Sequence, residues 1–153
     1  MRMTTDALRL VETVFARSAL FAGLERGARR RLASLASVRA YPAGSTIVRE
    51  GDTSMALYVI LSGRVAVHLG TGQAVREIGA CGFFGELGVI DDRPRSATVI
   101  AVEPTQCALL AAWDIREQPR IALNLLPIMA HWIREAGGRT VGTDADADWI
   151  EAL

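Results

Sequence analysis

Lysine is absent from this chain; all 17 basic residues are arginine. The absence rules out Schiff-base chemistry on a lysine amine and the lysine of a Walker phosphate loop. Genomic base composition is its ordinary explanation. Cysteine is scarce. Cys81 and Cys107 stand in apolar surroundings without CxxC spacing, which reads as a reduced pair rather than a disulfide or a metal pair. His68 and His131 are the only histidines and lie far apart in sequence, so a His/Cys metal cluster lacks a ligand set. No stretch reaches 18 consecutive apolar residues, and the N-terminus carries no long apolar run. The expectation is a cytoplasmic chain without membrane insertion. Net charge is also missing: 17 basic residues balance 17 acidic ones, leaving no bulk field to attract nucleic acid or anionic lipid.

What is present is a globular composition. The 153 residues are 50% hydrophobic and 22% charged, which suits one domain with a core that needs no disulfide. Leu8, Val11 and Phe15 recur at helical spacing, predicting an N-terminal helix within residues 1–17 capped by Thr5 or Asp6. A second helix is expected from about Glu25 to Val38, with Leu32 and Leu35 facing inward and Arg29-Arg30-Arg31 on a solvated face. The period then shortens. Tyr41-Pro42-Ala43-Gly44, Glu50-Gly51-Asp52, Ser62-Gly63 and Gly70 to Gly72 read as turns. They separate strands at Ile47-Val48, Ala56 to Leu61, Arg64 to His68 and Ala74 to Ile78. Ala97 to Val102 and Gln106 to Leu110 follow as strands, and Gly85 to Ile90 suits one or two helical turns. Short strands with Gly-rich turns every 8–12 residues mark a sandwich or barrel.

After Trp113-Asp114 the helical period returns, with Pro119 in the first turn and Gly137-Gly138 at the end. Its apolar residues, among them Ile121, Leu125, Ile128, Met129 and Trp132, cover more than one face. One side is expected to cover the barrel and another to meet a partner. Pro127 should kink or interrupt the helix. The tail, 139–153, is acidic (Asp144, Asp146, Asp148, Glu151) and is expected to be flexible.

The chemistry is concentrated between Phe83 and Val99. Gly85 permits close approach of backbone to a ligand. The turn after it offers free N–H groups where an anion is welcome. Glu86 would be repelled by a phosphate, so it is suited to accept from neighbouring hydroxyls. Arg95 follows Pro94, and its guanidinium can grip two phosphate oxygens. Ser96 adds a hydroxyl donor. One short segment thus supplies a phosphate clamp and a diol acceptor, the polar half of a cyclic nucleotide.

This segment resembles the phosphate-binding cassette of the cyclic-nucleotide-binding domain family, which includes the catabolite activator protein and the regulatory subunit of cAMP-dependent protein kinase. The resemblance extends over about residues 18 to 136. Leu20-Phe21-Ala22-Gly23-Leu24 and Leu32 match the family's N-terminal helical element. Tyr41, Gly44, Ile47, Glu50-Gly51-Asp52, Leu57-Tyr58, Ile60, Gly63, Val65 and Val67 match its barrel signature in order. The resemblance implies a mainly β fold: a jelly-roll β-barrel (double-stranded β-helix) with N-terminal helices and a C-terminal lid helix, spanning 18–138. It implies that Arg95 binds the cyclic phosphate and Glu86 accepts the ribose 2′-hydroxyl. Backbone N–H groups of Gly85, Leu87, Gly88 and Ser96 would complete the phosphate site. Val67 and Val75 would contact the base, with Trp132 or Arg134 of the lid near the purine. Two departures stand out: Ala80-Cys81-Gly82 replaces the family's usual Pro-Gly-Asp, and Pro127 is unusual within the lid helix.

The function implied is a regulatory sensor that binds cAMP, with cGMP the runner-up, and couples binding to movement of the lid helix. It would use no cofactor or metal and would form a homodimer through the C-terminal helix. The alternatives are a domain that keeps the fold for oligomerisation alone, or the sensor half of a transcription factor. Only about 15 residues follow Gly138, too few for a recognition helix and its supports, so direct DNA binding by this chain is not expected. An enzyme fits least, because no nucleophile–base pair or metal set accompanies the clamp.

Overall fold

The computed structural model describes residues 2–70, 72–86 and 93–137. The strands are β1 (Ser37–Tyr41), β2 (Thr46–Val48), β3 (Ala56–Ser62), β4 (Arg64–His68), β5 (Ala74–Gly79), β6 (Phe83–Phe84), β7 (Thr98–Ala101) and β8 (Thr105–Ala111). They form two antiparallel four-stranded sheets, in the orders β1-β8-β3-β6 and β2-β7-β4-β5. The jelly-roll class expected from the resemblance holds. The closed barrel does not, because no strand of one sheet pairs with a strand of the other among the described residues.

The helices are α1 (Thr5–Arg17), a 3-10 turn (Ala19–Phe21), α2 (Arg26–Leu35), α3 (Ala112–Arg116) and α4 (Pro119–Gly137). The cap of α1 is Thr4, one residue before the expected position; its Oγ1 accepts from the Ala7 N–H at 3.2 Å. α2 ends at Leu35 instead of Val38, and Leu35 is exposed while Leu32 is buried. The residues after it are taken by β1, which pairs with β8 from Ser37↔Leu109 to Tyr41↔Thr105. Backbone pairing with a distant strand overrides the local helical pattern there.

β3 shows how one apolar run serves two cores. Leu57, Val59 and Leu61 face the helices, where they join Val11, Phe15, Leu20, Phe21, Leu32, Ile121 and Leu125. Tyr58 and Ile60 face the inter-sheet core with Val48, Val65, Val67, Phe84, Val99 and Cys107. Alternation along a strand buried on both sides therefore reads as an unbroken hydrophobic segment. The two cysteines fall on opposite sides of this sheet and are both free: Cys81 packs against the helix-side core and Cys107 lies in the inter-sheet core. Burial pushes the Cys107 thiol up to about 12, so it stays protonated and inert.

α4 runs unbroken through Pro127, against the expected interruption. Leu123 and Leu126 are exposed around the proline, so solvent can serve the carbonyl left without its intrahelical partner. Ile121 and Leu125 are buried, and Ile128, Met129 and Trp132 pack against the helix-side core. The N-terminal half of α4 is tied to the 3-10 turn. Asn124 Nδ2 donates to the Leu20 and Ala22 carbonyls at 2.8 and 2.7 Å, and Arg120 Nε donates to the Ala22 carbonyl at 3.3 Å. The expected acidic tail lies outside the described residues, as does Gly138.

Candidate functional site

A pocket opens at the mouth of the inter-sheet core. Its apolar wall is Val48, Val67, Phe84, Ala97 and Val99, from β2, β4, β6 and β7 and the approach to β7. Its polar side is Arg76, Gly85, Glu86, Arg95 and Ser96. The fold therefore brings Gly85, Glu86, Arg95, Ser96 and Val67 together. Val75 packs at the edge of the inter-sheet core and does not line the pocket. Leu87 and Gly88 lie outside the described residues.

Arg95 is held by backbone and side chain alike. Its N–H donates to the Asp52 carbonyl at 2.7 Å, and its carbonyl accepts from the Gly51 N–H at 2.7 Å. The Glu50-Gly51-Asp52 turn is thus the cradle that places the arginine. Asp52 Oδ2 in turn accepts from the Arg49 N–H at 2.9 Å and closes that turn. Within the pocket, Arg95 Nη1 donates to the Gly85 carbonyl at 2.8 Å and Nη2 donates to the Ala56 carbonyl. Its Nε is buried and has no partner. A guanidinium carries five N–H donors, so an edge of this one is left to serve a ligand.

Glu86 is 4% exposed, and its Oε2 also has no partner. Burial pushes its carboxyl up to about 7, against the opposing pull of a hydrogen bond from its own backbone N–H and of the Arg76 and Arg95 charges. Burial likewise lowers both guanidinium values from their ordinary position. Glu86 works against that for Arg76; Tyr58, Glu86 and Asp52 do so for Arg95. With Glu86 ionised, the two arginines leave the pocket one positive charge in excess, which suits a monoanion.

Arg76 was not foreseen from the sequence. It stands opposite Val67 in the β4–β5 ladder, and cross-strand partners share a face. A bulge between Val67 and His68 shifts the register just beyond this pair. Periodicity relative to Ile78, which packs on the inter-sheet core two positions on, was the available signal. The Arg76 guanidinium lies 3.9 Å from the centroid of the Trp132 ring. Trp132 also tilts against Phe83, with centroids 5.8 Å apart and planes at 45°. Arg134 is exposed on α4 and takes no part in lining the pocket. Among the described residues no cluster of three or more potential metal ligands occurs, and no helix is long and apolar enough to cross a membrane.

A protein-family model for the cyclic nucleotide-binding domain matches residues 38–118, more than half of the chain. The cyclic AMP receptor protein of Thermus thermophilus is 38% identical over 106 residues, covering 64% of this chain and 49% of the relative. A cAMP-dependent protein kinase regulatory subunit of Colletotrichum orbiculare is 31% identical over 111 residues, covering 72% of this chain and 28% of the relative. The chain thus spans about half or less of the length of these curated relatives. The solved catabolite activator protein of Thermus thermophilus superposes with a TM-score of 0.70 at 34% identity, covering 80% of this chain and 61% of that one. The matched residues include the Glu50-Gly51-Asp52 turn, the pocket-lining β-strands, Glu86 and Arg95, and the chain belongs to the cyclic nucleotide-binding domain family.

Proposed function

We propose that the pocket binds a cyclic nucleotide monophosphate, cAMP in preference to cGMP, and that the chain acts as a regulatory sensor and not as an enzyme. One observation carries this reading. Glu86 Oε2 and Arg95 Nε are both buried and both without a partner, and they line the same pocket. Unpartnered buried polar groups are costly, and a ligand carrying hydroxyls and an anionic phosphate relieves both at once. Arg95 takes the phosphate, Ser96 assists it, and Glu86 accepts the ribose 2′-hydroxyl. Val67 and the other apolar lining residues take the base. The preference for cAMP is supported by relatives that include a cyclic AMP receptor protein and a cAMP-dependent protein kinase regulatory subunit. No covalent or acid–base step is assigned to the pocket, because its polar groups are disposed to hold a phosphodiester and not to attack one. The chain forms a homodimer through α4, which exposes Leu123, Leu126 and Ile133. Movement of α4 on binding is the output.

Calorimetric titration with cAMP and 2′-deoxy-cAMP tests the site. The parent protein should bind the deoxy analogue more weakly than cAMP, while Glu86→Gln should nearly abolish the difference between the two. Equal binding of both ligands by the parent would show that Glu86 does not contact the ribose. No heat with cAMP or cGMP at millimolar concentration would leave the fold as a structural module.

A further inference from the structure

We propose that Arg76 is the residue that passes occupancy of the pocket to α4, acting through Trp132. The inference rests on the cyclic-nucleotide reading of the pocket and adds to it a named route from ligand to helix.

The guanidinium of Arg76 belongs to two environments at once. On one side it lines the pocket with Glu86 and Arg95. On the other it lies over the Trp132 ring, 3.9 Å from the centroid, well inside the distance at which a cation is attracted to an aromatic face. Trp132 belongs to α4, whereas Arg76 belongs to β5. One planar cation therefore joins the second sheet to the helix. A bound monoanion changes the field at Arg76, and a sugar hydroxyl on Glu86 changes the carboxylate that shares the pocket with it. Either change alters how the guanidinium divides itself between pocket and ring. Phe83, which the Trp132 ring also touches, is adjacent in sequence to Phe84 of the pocket wall.

The construction of α4 makes this contact effective. The N-terminal half is tied to the 3-10 turn through Asn124 and Arg120. Trp132 lies on the far side of Pro127, where one intrahelical hydrogen bond is missing. A change in the hold on Trp132 is thus applied to the half of the helix that Asn124 does not anchor, across the position where the helix is easiest to bend.

The test uses Trp132 as the reporter. Trp113 and Trp149 are the other two tryptophans, and W113F/W149F leaves Trp132 alone. Emission and calorimetry are followed on this protein during titration with cAMP, with thermal melts to verify folding. The expected result is a saturable change in emission whose midpoint matches the calorimetric Kd. In Arg76→Gln, at saturating cAMP, the amplitude should fall below about half. In Arg76→Lys, which keeps the charge but not the planar stack, it should be intermediate. Full amplitude in Arg76→Gln overturns the proposal, and so does full amplitude in Arg76→Lys should the glutamine variant fail to bind. Binding by the single-tryptophan parent without any emission change overturns it too, while leaving the cyclic-nucleotide reading intact. Absence of binding heat in that parent overturns that reading and this inference with it.

Discussion

Gly85 and Arg95 are mutually dependent. Gly85 has φ of +89°, and a Cβ placed on it would lie 2.8 Å from both the Ala56 carbonyl oxygen and Arg95 Nη1. The first feature strains any L side chain, and the second drives the guanidinium from its seat. Gly85→Ala should therefore lower both the melting temperature and the affinity for cAMP; calorimetry showing parental affinity would contradict the geometry. Removing the arginine itself acts on the phosphate. Charge-assisted bonds contribute about 1.5–3 kcal/mol each, so Arg95→Ala should weaken binding at least tenfold, roughly 1.4 kcal/mol. Arg95→Lys should recover only part of it, since an ammonium lacks the planar fork. Glu86 makes a pH prediction. Its carboxyl is raised from 4.5 to about 7 by burial. Between those values the folded protein holds a proton that the unfolded chain has lost. Stability of the unliganded protein should therefore fall as pH rises from 4.5 to about 7 and level off above it. A ribose hydroxyl donating to Glu86 favours the ionised form, so binding near pH 6 should release protons. Urea melts across this range, and calorimetry in two buffers of different ionisation enthalpy, check both; Glu86→Gln should flatten the slope and remove the release.

α4 shows how an element can be read correctly in kind and incorrectly in detail. Its start at Pro119 and its several apolar faces follow from local spacing. Which apolar residues are buried does not, because that depends on where the 3-10 turn and α1 lie. Ile121 and Leu125 are covered, whereas Leu123, Leu126 and Ile133 are exposed. These three lie at i, i+3 and i+10, which is one face of a helix. Leu126→Glu should convert a dimer into a monomer, as measured by sedimentation at high micromolar concentration with and without cAMP. A parent that is monomeric under both conditions would refute the interface. β1 carries the complementary lesson. The helical pattern before it extends past Leu35, but pairing with β8 ends the helix there. Short-range pattern cannot anticipate hydrogen bonds to a strand some seventy residues away.

Considered as a whole, the molecule stands its pocket on two cores that share β3. The pocket walls come from the inter-sheet core, and α4 packs on the helix-side core. Ligand should therefore stabilise the entire fold. At about 100 times the dissociation constant, linkage gives roughly 2.7 kcal/mol, which for a chain of this size raises the melting temperature by several degrees. A melt unchanged by millimolar cAMP and cGMP would count against binding by the native state.

That Gly85, Glu86, Arg95 and Ser96 share one pocket was legible because they lie within a dozen positions of one another, in a segment whose residue types mark it out locally. Most strands were legible for the same reason, since turns and alternation act over a few residues. The tertiary structure alone decided that the Glu50-Gly51-Asp52 turn cradles Arg95, that Arg76 faces the pocket while Val75 does not, and that Trp132 meets a guanidinium. Each of these depends on the register between strands or on the seating of a helix against a sheet. Such contacts join residues remote in the chain, and a single bulge or a one-residue slip turns a side chain to the other face.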